Sequence, residues 1–209
     1  MPTASNYWLR SGFFTLLEKG MALIFSLGTA MLLLRMLDKE TFAAWGIFTI
    51  IGYFVEMGRS GLIQNGLVRA LAMHKTDRRA YTSISSASFA LNLIFSLLSN
   101  VLLWLCAHWI ATQYQIPQLS LLLPVYFLTN FIMAPFTHCS FVQQANFEFR
   151  GVFWSAFFYR GALFAWIALC RLGGHAIELQ ELALAMLTGG LLGAVATWYF
   201  ARPFLSFSL

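Results

Sequence analysis

Of the 209 residues, 59% are apolar and only 10% charged, with a mean hydropathy of +0.71, whereas soluble domains carry about 25% charged residues. This excludes an ordinary soluble domain and leaves room for about six apolar spans of roughly 20 residues with short connections, an all-α integral membrane domain over 1–209. The net charge of +5 comes from basic residues between apolar runs, where they set topology and do not form a nucleic-acid surface.

In chain order, Met1 to Arg10 reads as a short polar arm with Tyr7 and Trp8 at interfacial height, and the first span runs over about 13–36. Its small residues Ala22, Ser26 and Ala30 recur at every fourth position and predict a face that another helix approaches closely. The corner Leu37-Asp38-Lys39-Glu40-Thr41 leads into a second span over about 42–72. That span turns polar in its later half, where Gly58 and Gly61 flank Arg59 and Ser60 and predict a loosened or bent helix. A basic connection, His74 to Arg79, precedes the third span, about 81–110, with Ser88, Asn92, Ser96 and Asn100 in a row at four-residue spacing. Such a row lies on one helix face and serves either helix-to-helix hydrogen bonding or a hydrated wall.

After a polar turn, Thr112 to Gln118, the fourth span covers about 119–144 and holds Pro124 and Pro135, each of which removes a backbone donor and predicts a kink. Asn130, Thr137, Ser140 and Gln144 give it a polar side. The fifth span, about 151–172, carries Arg160 near its middle, too deep for easy snorkelling, which predicts that it faces the interior or a hydrated cavity. The sixth, about 182–201, contains Gly189 and Gly193 in a GxxxG pattern extended by Ala185 and Thr197, a signal of close packing.

The charges within the spans carry the functional argument. Insertion of each costs roughly 2.5–3.5 kcal/mol, so a chain that keeps them has a partner or a pathway for them. Glu56 and Arg59, three residues apart, form a local counter-charged pair. The single cysteines Cys106, Cys139 and Cys170 and the scattered His74, His108, His138 and His175 show no metal-ligand spacing and read as core or surface residues, so no metal or cofactor is expected. Neither a GxxxxGK(S/T) loop nor an HExxH helix is present, and no catalytic constellation is seen, so the chain reads as a non-enzyme. Arg10, Arg69, Lys75, Arg78, Arg79, Arg150 and Arg202 fall on one side of the alternating spans, against Arg35, Lys39 and Arg171 on the other. The positive-inside rule then places both termini in the cytoplasm.

The run from Arg35 through Asp38 and Phe42 to Trp45, the run Gly61 to Arg69, and the stretch Gln143 to Arg150 resemble polysaccharide flippases of the Wzx type. These belong to the multidrug/oligosaccharidyl-lipid/polysaccharide exporter superfamily. The resemblance implies a two-lobe transporter of which this chain supplies one six-helix lobe, either truncated or completed by another copy or a separate second half. It further implies a bacterial cytoplasmic membrane location, membrane lipids as surroundings, and an undecaprenyl-pyrophosphate-linked oligosaccharide as the substrate moved between leaflets. Residues expected at the substrate cavity are Glu56, Arg59, Arg69, Arg160, Asn92 and Asn130, with the arginines as phosphate-facing cations. Two other readings share the sequence features: a multidrug or cation-coupled exporter of the same superfamily, and a membrane scaffold in which Glu56 and Arg59 only neutralise each other.

Overall fold

The computed structural model describes residues 4–113 and 119–205, so Tyr114 to Gln118 of the expected turn between the third and fourth spans lie outside the described residues. The chain folds as α1 (Ala4–Met36), α2 (Lys39–Arg59), a π-helical segment (Ser60–Gln64), α3 (Asn65–Met73), α4 (Arg78–Gln113), α5 (Leu119–Ala145), α6 (Phe149–Gly173) and α7 (Leu179–Ala201), with no strand among the described residues. Six helical stretches are long and apolar enough to cross a membrane, α2, the π-segment and α3 together making the second, Lys39–Met73. The protein is therefore an all-α, multi-pass membrane protein. The expected polar arm is shorter than the sequence implied, because helix begins at Ala4.

Local chemistry explains the breaks. Asp38, in extended conformation, accepts the backbone N–H of Thr41 at 2.8 Å and its hydroxyl at 2.7 Å, which starts α2. Those hydrogen bonds to the charged form hold the Asp38 carboxyl below the usual carboxylate range. Gly174, at φ 66°, ends α6 by turning its N–H onto the Cys170 carbonyl, as C-terminal glycines do. Glu178 and Glu181 form a capping box that opens α7. The loosening foreseen around Gly58 and Gly61 takes the form of the π-segment, whose wider turn shifts every later side chain relative to α2.

The helices alternate in direction. One apolar cluster unites Leu33, Trp45, Phe48, Leu122, Ile167 and Leu182, at the ends of α1, α2, α5, α6 and α7 that the sequence placed together. A second cluster at the opposite end joins Leu67, Leu71, Tyr81, Phe141 and Val142, with Phe204 packed against it. Helix α6 lies between α1 and α7, α7 packs on α5, and α5 packs on α4. Helix α3 is fastened to α4 and α5, whereas α2 touches α1, α4 and α5 only lightly.

Small residues set the closest approaches. A Cβ at Gly189 would come within 2.5 Å of the Tyr159 carbonyl oxygen, and one at Gly193 within 2.8 Å of the Phe136 ring. The GxxxG face thus packs inside the chain, against α6 and α5. In α1 the tight contact is Gly28, where a Cβ would lie 2.7 Å from the Phe164 ring. Ser26, from the predicted close-packed stripe, is exposed instead, because the α6-facing side of α1 runs through Phe25 and Gly28. Helix α5 continues unbroken through Pro124 and Pro135. Cys139 and Cys170 are buried and Cys106 is half-buried, all three as free thiols, and the described residues hold no cluster suited to a metal ion.

Candidate functional site

Because α2 stands away from α1 and α5, a cleft of about 500 Å³ opens among α1, α2, α5 and α6, with Met186 of α7 also in its lining. Its volume lies in the range of small-molecule sites, roughly 300–1,000 Å³. Glu56, Asn130 and Arg160 line it, together with the aromatic residues Trp45, Tyr53, Tyr126 and Tyr159.

Behind this wall lies Arg59, fully buried in a chain that spans a membrane. Its position would be untenable without partners, since a buried charge needs a counter-charge and hydrogen bonds. Three helices provide them for its two terminal nitrogens, while Nε is buried without a partner among the described residues. From its own helix, Glu56 Oε2 lies 3.5 Å from Arg59 Nη1. From α4, Ser96 Oγ accepts from Nη2 at 2.9 Å. From α5, Asn130 accepts from Nη2 through both Oδ1 and its backbone carbonyl, and Thr137 Oγ1 lies 3.5 Å from Nη1. Asn130 is the hub of this cage, for its Nδ2 also donates to Ser99 Oγ at 2.9 Å and Asn100 Oδ1 at 2.8 Å.

One half of the row on α4 serves helix-to-helix hydrogen bonding, while Ser88 Oγ and Asn92 Oδ1 are buried without partners among the described residues. Ser88, Asn92, Ser96 and Asn100 are all buried. Asn100 donates to the Phe127 carbonyl at 3.2 Å, and Ser96 Oγ donates to that of Asn130 at 3.3 Å, so these two residues bind α4 to α5. Asn92 turns back to the Ser88 carbonyl within its own helix, at 3.0 Å.

The structure sorts the expected site residues into three groups. Glu56, Asn130 and Arg160 line the cleft. Arg59 and Asn92 are sealed behind it. Arg69 is exposed on α3, beyond the π-segment and away from the cleft wall. Arg160 is itself exposed and borders both the cleft and a narrow crevice between α1 and α6.

That crevice contains a charge the sequence reading passed over. Glu18 lines it beside Phe25, Phe157 and Arg160. Its side chain is 14% exposed and pairs with the outward-pointing Lys19 at 3.1 Å. The signal was available, for Glu18-Lys19 interrupts the first apolar run. The tyrosines of the cleft carried no comparable signal, because aromatic residues are frequent throughout the chain.

A family model described as polysaccharide biosynthesis protein matches residues 32–209. No curated protein and no solved structure matches the chain.

Proposed function

The chain belongs to the polysaccharide biosynthesis protein family, and from that premise we propose that it carries a lipid-linked oligosaccharide from one leaflet to the other. The observation behind this reading is the cleft. It combines a charged and hydroxyl-bearing wall with an otherwise apolar six-helix body, so it suits a polar head travelling while its lipid remains in the bilayer. Helix α2, lightly packed and ending at a π-segment, is the element able to move against the fixed α5–α6–α7 core.

In this reading the membrane is the bacterial cytoplasmic membrane, both termini face the cytoplasm, and the lipid is undecaprenyl pyrophosphate. A second six-helix unit, from another copy or a separate chain, completes the cavity in this reading, as transporter sites commonly form between repeats. The test is transfer. Proteoliposomes holding the full chain and a prenyl-pyrophosphate-linked oligosaccharide are exposed to an external glycosidase, and the fraction of glycan cleaved is followed with time. The chain should move glycan from the inner leaflet into reach of the enzyme. Cleavage that stops at the outer-leaflet fraction, as in protein-free vesicles, would refute the proposal.

A further inference from the structure

The cleft's polar groups divide into those already engaged and those left over. Thr49 donates to the carbonyls of Trp45 and Gly46, Thr129 to that of Val125, and Asn130 is held in the arginine cage. By contrast, the hydroxyls of Ser26, Thr29, Tyr53, Tyr126 and Tyr159 make no hydrogen bond among the described residues, and all five residues line the cleft. Hydroxyls are two-way groups, each able to donate and to accept. Set beside aromatic rings, they match a ligand that is itself a mixture of hydroxyls and apolar C–H faces.

The same lining is poor in what a pyrophosphate needs. Phosphate oxygens are held by several cations or backbone N–H groups converging on them. Arg160 is the one cation among the described residues that line the cleft, and it shares the lining with the Glu56 carboxylate, whose side chain is 35% exposed. Arg59 is unreachable, with 0% exposure and both terminal nitrogens committed. At the start of α2 the Thr41 amide is taken by the Asp38 carboxylate. Cations are plentiful elsewhere, at the end of the bundle where Arg78, Arg79, Arg150 and Arg202 are exposed.

We infer that the cleft receives the glycan of the lipid-linked substrate and excludes its pyrophosphate, with the unengaged hydroxyls of Ser26, Thr29, Tyr126 and Tyr159 as the sugar-reading groups. The inference rests on the transport reading above and refines it by assigning the cleft to one part of the substrate.

The experiment measures binding to the full chain in lipid nanodiscs with three probes: a bare prenyl pyrophosphate, the same lipid bearing a neutral oligosaccharide, and the free methyl glycoside of that oligosaccharide. The glycan-bearing lipid should bind about ten-fold or more tightly than the bare one, a gap of about 1.4 kcal/mol. The free glycoside should compete with it. Ser26→Leu, which fills the cleft from an exposed position, should reduce the glycan-bearing lipid to the affinity of the bare lipid. Equal affinity for the two lipids, or an Arg160→Gln variant that weakens the bare pyrophosphate about ten-fold, would overturn the assignment and leave transport standing. Failure of the chain to bind any of the three probes would overturn both this assignment and the transport reading.

Discussion

The cage around Arg59 makes a quantitative claim about Glu56. Two unit charges 3.5 Å apart attract by about 4.7 kcal/mol at an effective dielectric of 20. Glu56 is 35% exposed to the cleft, and solvent there screens the pair, roughly halving the figure to about 2 kcal/mol. Glu56→Gln keeps the shape and an acceptor oxygen, so its cost isolates the charge. It should destabilise the protein by about 2 kcal/mol, because the guanidinium stays buried without a counter-charge.

Arg59→Met removes the buried charge, after which the carboxylate of Glu56 can turn to the cleft. The double variant should therefore be no less stable than Arg59→Met alone. Unfolding free energies from denaturing-detergent titration of the four proteins give the coupling directly, expected near 2 kcal/mol. Coupling below about 0.5 kcal/mol, within the scatter of independent sites, would refute the claim that Glu56 neutralises Arg59.

Gly189→Ala should cost about 1–3 kcal/mol by overpacking, since the new Cβ meets the fixed Tyr159 carbonyl at 2.5 Å; a thermal midpoint equal to that of the parent would show that α6 and α7 separate without strain. Asp38→Ala should lower the thermal midpoint at neutral pH by removing the α2 cap. The folded carboxyl sits below its ordinary value, so the cap's contribution is complete above about pH 3.9 and fades as pH falls through the lower folded value, which should bring the parent and variant melting curves together in acid. Cysteines introduced at Lys75 and Arg171 should label from opposite faces of intact cells, Lys75 from the cytoplasm, and labelling from one face would contradict the alternating helices.

The six spans were legible because each is a run of apolar residues longer than a bilayer core, with polar or glycine-bearing corners between them. The Glu56–Arg59 pair was legible from its three-residue spacing, and the row on α4 from its four-residue spacing. What each face looks at was not legible. A period of four places Ala22, Ser26 and Ala30 together on α1 but leaves open whether that side meets α6 or the cleft, and the bulk of Phe164 against Gly28 decided it. Nor could spacing relate Arg69 to Arg59. The π-segment between them adds to the turn, so a face counted at 3.6 residues per turn from α2 arrives in α3 out of register.

Arg59 and Arg160 are both arginines within spans, and neighbouring chemistry gives them opposite surroundings. Arg59 meets an acidic residue one turn back and polar groups on each of two adjacent helices, so its two terminal nitrogens are engaged in holding α2 to α4 and α5, while its Nε is buried without a partner among the described residues. Arg160 has no ion pair or hydrogen bond among the described residues, and its nearest acidic companion in the crevice, Glu18, is paired with Lys19. An arginine that is fully buried with both terminal nitrogens engaged is out of a ligand's reach. The sealed arginine thus pairs with Glu56 beside the cleft wall, whereas Arg160 borders the cleft with no ion pair or hydrogen bond among the described residues.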